Sequence, residues 1–411
     1  MTKKNIDSPR ERSASTLSPV EMSEMTDAFP TKSAPLRKLF PGYRERAAVE
    51  QEIKSNPLLR AEFLKWKEEK QQEFLDICCG NRGARILYDA CFKYVFNPDQ
   101  GKEHLSRLIS VMLGQEVKDV RVLPNESHLG GDYALIIMDI IVETADGTVV
   151  NVEVQKVGYN FPGERASCYN ADLLLRQYRR VREEVRTEAA KTGEDPDRKF
   201  SYLMIRPVYT IIFMEKSTSE FKKFMKDYIH TFVPTSDTGL RLNMLQNILY
   251  IPLDVFKKNL AEKIEKGAAL TEKEAWLAFL SYDEPAVINL VLEQYSEIFQ
   301  PLYEKICDMC RNTAEVMNMY SRELAILDKN TVMMMIEEQQ ETIEQQQGTI
   351  NQQQKTLDQQ QGTIDQQQKA LDQQQGVINQ QHDTIEEQRK KIEDLQRMVD
   401  KLQHISGVQT T

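Results

Sequence analysis

The feature that most constrains this chain is the spacing of apolar residues in Leu135–Gln155, LIIMDIIVETADGTVVNVEVQ. Ile136, Met138, Ile140 and Val142, then Val150, Val152 and Val154, hold even numbers, whereas Asp139, Glu143, Asn151, Glu153 and Gln155 hold odd ones. Two such runs around Ala145-Asp146-Gly147 predict a β-hairpin with glycine in a left-handed turn position. Side chains alternate with period two, so the apolar sets share a face only if opposed residue numbers match in parity. A three-residue loop at 145–147 meets this condition. It pairs Thr144 with Thr148, Glu143 with Val149 and Asp139 with Glu153, whereas a two-residue loop separates the last two carboxylates onto opposite faces.

Carboxylates on neighbouring strands, with Cβ atoms ~5 Å apart, repel unless positive charge lies between them. A hard divalent cation meets that need, and magnesium takes oxygen ligands while keeping several waters. Held there it can polarise a phosphodiester and activate water. Gln155 shares the face of Glu153 and can orient a water, and the Val154 carbonyl is a further candidate ligand. An amphipathic hairpin with one solvated polar face needs no function, so spacing alone leaves both readings open.

Around this hairpin the chain reads in blocks. Residues 1–42, rich in Ser, Thr, Pro and Lys, read as a disordered arm. Residues 43–83 form a charged helical extension, broken near Asn56–Pro57 and stopped by Gly80. Residues 84–256 alternate helical and strand signals, with helix to Gly114, strands over Val120–Gln155, a long helix at 166–186, and strands at Tyr202–Met214, Ile229–Val233 and Asn247–Leu253. That alternation predicts an α/β or α+β domain. Residues 257–335 read as helical.

From Ile343 an apolar residue recurs at every seventh position through Ile350, Leu357, Ile364, Leu371, Ile378, Ile385 and Ile392 to Val399. A strict period of seven predicts a left-handed coiled coil over 336–411. The second seam position is mostly Gln (Gln346, Gln353, Gln360, Gln367), and Gly348, Gly362 and Gly376 each weaken a helix by about 1 kcal/mol relative to Ala. A helical oligomerisation tail and a disordered glutamine-rich tract both fit.

The 411 residues carry a net charge of −10. Thirteen acids against seven bases after residue 335 account for −6 of it, so global acidity says little about a local site. No apolar run approaches the ~20 residues that cross a bilayer, and the N-terminus lacks a signal-peptide pattern; a cytoplasmic protein is expected. Six cysteines are too few for a disulfide framework. Cys307 and Cys310 form a lone C-x-x-C without the four ligands of structural zinc, and read as free thiols.

Four pieces in order resemble the Rpn family of recombination-promoting nucleases, also described as transposases, in the PD-(D/E)XK superfamily. They are D-x-x-F-K-x-x-F (Asp89, Phe92, Lys93, Phe96), the hairpin Asp139 with E-x-Q (Glu153, Gln155), a helix with Arg165, Tyr169 and Gln177, and the strand entered at Tyr202. The family carries glutamine where related nucleases carry lysine. Arg179–Lys199 departs from the pattern as an enlarged connection, and Leu174 stands where the family often has tyrosine.

The resemblance implies an α/β fold: a restriction-endonuclease-like mixed sheet flanked by helices, with a C-terminal helical region and coiled-coil tail. It further implies a magnesium-dependent endonuclease acting on DNA in recombination or transposition. Asp139 and Glu153 would bind magnesium and Gln155 would place the attacking water. Asp89 is either a metal-site acid or a helix-orienting residue; Lys93 either offsets phosphate charge or pairs with Asp89. Arg165 and Gln177 are candidate substrate contacts. The arginines at 165–186 form either a modest basic strip or an ion-paired helix face. The rival reading is an inactive nuclease-like scaffold, self-associated through its tail.

Overall fold

The even–odd alternation of the hairpin builds a sheet that is buried on both sides. The computed structural model describes residues 34–123, 126–128, 135–158 and 161–407. The N-terminal helices are α1 (Arg46–Ser55), α2 (Pro57–Phe63) and α3 (Glu68–Cys78). Asn56 accepts from the Leu58 and Leu59 amides at 3.0 and 3.4 Å and so starts α2, with Pro57 in its first turn. Gly80 ends this block with φ +65°, and a Cβ there would lie 2.7 Å from the Tyr43 ring.

Next come α4 (Asp89–Val95), α5 (Pro98–Leu113, kinked at Gly101), β1 (Arg121–Leu123), β2 (Glu126–His128), β3 (Leu135–Ile137), β4 (Ile140–Glu143) and β5 (Val149–Val157). They are followed by α6 (Gly163–Thr192), α7 (Pro196–Lys199), β6 (Val208–Lys216), α8 (Ser219–Lys222), β7 (His230–Phe232) and β8 (Gln246–Pro252). The chain ends with α9 (Leu253–Glu265), α10 (Glu272–Ser281), α11 (Pro285–Cys310) and α12 (Thr313–Gly407). Six strands form a mixed sheet in the order β1-β4-β5-β6-β8-β7; β5, β6 and β8 run parallel and the other pairs antiparallel. This is an α/β fold of the restriction-endonuclease kind.

On one face Ile140, Val142, Val150, Val152, Ile211 and Phe213 join the larger core with α4, α5 and α9–α11. On the other, Ile141, Val149, Val208, Ile212 and Met214 pack beneath Ala166, Tyr169 and Leu173 of α6. The odd-numbered hairpin face is therefore covered by a helix and not solvated. Met138 leaves the even-numbered set and joins the α6 side, because β4 begins only at Ile140 and the alternation has no ladder to enforce it earlier.

Several boundaries differ from the sequence expectations. Residues 1–33 of the expected arm lie outside the described residues, but Leu36 and Phe40 within 34–42 are buried, and the Leu36 N–H donates to the Gly80 carbonyl at 2.8 Å. The connection expected at Arg179–Lys199 is helix: α6 runs on to Thr192 and ends at Gly193, φ +70°. The strand expected from Tyr202 begins at Val208. Tyr202–Met204 is a 3-10 turn, and Pro207, without an N–H, marks the entry to the strand. Cys78, Cys79, Cys91, Cys307 and Cys310 are buried free thiols, and burial pushes Cys307 up to about 11.

The chain divides into two units at Met334/Met335. Within the second, the glutamine-rich tract is helix. Five side-chain hydrogen bonds from Gln347, Gln354, Gln361, Gln368 and Gln375 to the Asn or Asp four residues on, at 2.9–3.2 Å, support it turn by turn. The seventh-residue stripe from Ile343 to Val399 is half or more exposed along this helix. Among the described residues no helix is long and apolar enough to cross a membrane.

Candidate active site

The turn at Ala145-Asp146-Gly147 has the expected three residues. The Gly147 N–H donates to Thr144 O and the Thr144 N–H to Thr148 O, both at 2.9 Å, with Gly147 at φ +85°. Pairing of Glu143 with Val149 and Ile140 with Val152 sets the predicted register, which brings Asp139 level with Glu153. Asp139 stands just before β4. Its carboxylate takes the place of a ladder acceptor, receiving the Val154 N–H at 2.8 Å, while its own N–H donates to Glu153 Oε1 at 3.2 Å.

Glu153 is 1% exposed. Asn151 Nδ2 donates to its Oε1 at 2.9 Å and Gln155 Nε2 to its Oε2 at 3.3 Å. Burial, and then the Asp139 charge, push the Glu153 carboxyl up to about 8. Asp139 is also raised, by burial first and by Asp89, against the lowering effect of the Val154 N–H, Lys93 and Arg165. A buried pair of like charges is thus left short of positive charge.

Two helices bring charge toward this pair. On α4, Lys93 Nζ lies 2.7 Å from the Asp89 carboxylate. Burial opposes the Lys93 charge, but Asp89, Asp139 and Glu153 outweigh it and hold the ammonium above its ordinary value. On α6, Arg165 donates to the Tyr169 hydroxyl from Nε and Nη2 at 3.1 and 2.7 Å, with its guanidinium 4.7 Å from the Phe161 ring centroid. Tyr169 is buried edge-on against Phe161 and so serves both packing and the orientation of Arg165. Asp89, Lys93, Asp139, Glu153, Gln155 and Arg165 therefore converge from α4, the β4–β5 hairpin and α6.

Gln177 does not join them. It is 1% exposed; its Nε2 donates to Gly147 O, and its Oε1 accepts from Arg180 at 2.7 Å. Both ends of the amide are engaged at the turn end of the hairpin, away from the Asp139–Glu153 pair. Of the two readings of the α6 arginines, the ion-paired face is the one observed: Arg176 meets Asp172, Arg180 meets Glu143 and Glu184, Arg182 meets Asp197, and Arg186 meets Glu183. Asn151 escaped the sequence reading as a site residue; its odd number beside Glu153 was the available signal.

Hairpin carboxylates at the end of a mixed sheet, with an acid and a lysine from α4, define a nuclease-like α/β domain. Residues 86–339 match the family model of the PD-(D/E)XK nuclease family transposases, and the chain belongs to that family. Neither a curated protein nor a solved structure matches it.

Proposed function

We propose that the protein is a magnesium-dependent endonuclease hydrolysing DNA phosphodiesters in the cytoplasm, in a recombination or transposition setting. The observation that carries this reading is the buried Asp139–Glu153 pair, tied together through the Asp139 and Val154 N–H groups, with the charges of Lys93 and Arg165 acting on it. The donor set suits magnesium: carboxylate oxygens of Asp139 and Glu153, with the Val154 carbonyl as a third candidate, are hard ligands. Among the described residues no group of three or more His, Cys, Asp or Glu is arranged to hold a metal, so waters would complete the shell. A bound cation there supplies charge neutralisation and Lewis acidity.

The chain's own residues do the rest. Gln155 orients the attacking water through its amide. Lys93 and Arg165 offset the negative charge that grows on the phosphate oxygens. Asp89 holds Lys93 in place. The test is nicking of supercoiled plasmid with magnesium by wild type beside Asp139→Ala and Glu153→Ala. Loss in both supports the reading, and nicking that survives both refutes it.

The engagement of the α6 arginines with acids, together with glutamine at position 155, favours one alternative, a nuclease-like scaffold that binds without cutting. Absence of nicking by wild type across divalent metals would select it. In either case the exposed stripe of the second unit supports self-association as a coiled coil. Removing residues 336–411 should then lower the number of subunits obtained by light scattering, as measured mass over the mass of one chain, and an unchanged number would rule that role out.

A further inference from the structure

α4 starts without a capping side chain of its own, since Tyr88 at its N-cap makes no such bond. The acceptor comes from α12. Glu323 Oε1 receives the Asp89 N–H at 2.8 Å, and Glu323 Oε2 lies 3.1 Å from Lys156 Nζ on β5. Glu323 is 2% exposed and Lys156 9%. The ammonium also sits 3.7 Å from the centroid of the Tyr88 ring. One carboxylate therefore ties the start of the helix bearing Asp89 and Lys93 to the residue that follows Gln155.

The helical spacing explains how α12 delivers it. Val316, Met317, Tyr320 and Glu323 are buried at i, i+1, i+4 and i+7, and Tyr320 packs against Trp66, Phe74 and Tyr88 at 5.1–6.1 Å. The first three positions are apolar or aromatic and dock the helix. The fourth is a carboxylate. A buried ion pair adds little stability over an apolar pair of the same size, so stability alone does not account for the choice. Position does, because each partner of this pair touches a different half of the site.

We propose that Glu323 and Lys156 are positioning residues, which fix the Asp89–Lys93 helix against the Glu153–Gln155 strand. The inference rests on the nuclease reading of Asp139 and Glu153. Neither residue touches the scissile phosphate; both act through α4 and β5. Misplacement of a positioned group by about 1 Å costs on the order of 10²-fold in rate, and the loss falls on kcat, since DNA is held by other contacts.

The test uses the full chain in magnesium-dependent plasmid nicking, with circular dichroism to check folding. Glu323→Gln keeps an acceptor for the Asp89 N–H but gives up the charge facing Lys156, and should lose on the order of tenfold in kcat, as Lys156→Met does and less than Glu323→Ala. Glu323→Ala should lose roughly 30-fold in kcat with KM for DNA unchanged. Should Glu323→Ala not fold, Lys156→Met carries the test, with kcat expected to fall on the order of tenfold at constant KM. Wild-type kcat in a folded Glu323→Ala or Lys156→Met overturns the inference while leaving the nuclease reading intact, and so does a change confined to KM. Hydrogen exchange over residues 84–97 gives a readout that needs no activity. It should quicken in Glu323→Ala and not in Glu323→Gln. If wild type fails to nick, the nuclease reading falls, and unchanged exchange in Glu323→Ala then removes the clamp as well.

Discussion

The two ends of one hairpin bury carboxylates on the same face and treat them in opposite ways. Near the turn, Glu143 is 6% exposed and meets two guanidinium groups, Arg121 from β1 and Arg180 from α6. At the open end, Glu153 is more deeply buried, the donors on its oxygens are neutral amides, and its neighbour Asp139 is a second carboxylate. The fold supplies cations for the first acid and leaves the second pair short of positive charge. The first arrangement holds α6 and β1 to the hairpin; the second is the pair at which the proposed function puts its cation.

The largest effect expected from that contrast is on catalysis. Asp139→Asn and Glu153→Gln should each lower plasmid nicking by about 10³-fold or more, while thermal unfolding without metal shows the fold unweakened, because a buried like-charge repulsion has been removed. Glu143→Gln should do the reverse and keep per-molecule nicking within about threefold at a temperature where it is folded. A folded Glu143→Gln protein without nicking activity would erase the distinction between the two ends.

Stability gives the complementary reading. Breaking a buried ion pair by removing one partner costs about 3–5 kcal/mol. Arg121 is two-thirds exposed and can return to water, so roughly 2–3 kcal/mol is expected for Glu143→Gln. Urea unfolding measures this directly. A loss under about 0.5 kcal/mol, the usual range for surface substitutions, would show that the turn-end pair does not hold the fold.

The pH dependence sharpens the comparison further. Glu153 titrates at about 8 in the fold against 4.5 as an ordinary glutamate. Between those values the native state keeps a proton that the unfolded chain has released. Metal-free stability must therefore fall as pH rises through that window, with the full cost present above it. Asp139 is shifted in the same direction. Thermal unfolding in chelator should show this slope, and Glu153→Gln should flatten it. Magnesium should act more strongly at higher pH, because its ligands must lose their protons first. A magnesium-induced rise in Tm that is independent of pH would argue against Glu153 as a ligand.

The sequence carried the hairpin because three local rules agree there: alternation, parity and a Gly turn. It carried the helix ends at Asn56, Gly80 and Gly114 for the same reason, since each is a backbone position with its own chemistry. What it could not carry was pairing over long separations. Nothing within α6 says that Arg180 reaches back to Glu143, or that Gln177 turns to Gly147. Likewise nothing around Asp89 announces that Glu323, far along the chain, caps its helix. Met138 shows the limit of periodicity itself: alternation predicts sidedness only where a ladder enforces it, and the ladder begins two residues later.

Gln177 gives the smallest and most discriminating test. The resemblance offers Arg165 and Gln177 alike as substrate contacts, yet the twelve residues between them span about 18 Å of helix, enough to reach from the open end of the hairpin to its turn. There the amide bridges Gly147 and Arg180. Gln177→Ala would take one of two donors from the Gly147 carbonyl, which keeps Arg180 Nη2 at 3.2 Å, and would leave part of the Arg180 guanidinium without its acceptor, for a cost of about 1–2 kcal/mol. Gly147 and Glu153 lie six residues apart on the chain, roughly 20 Å of extended strand, so KM for DNA should change by less than about twofold. A tenfold rise in KM in the folded variant would return Gln177 to the substrate and join the two ends into a single site.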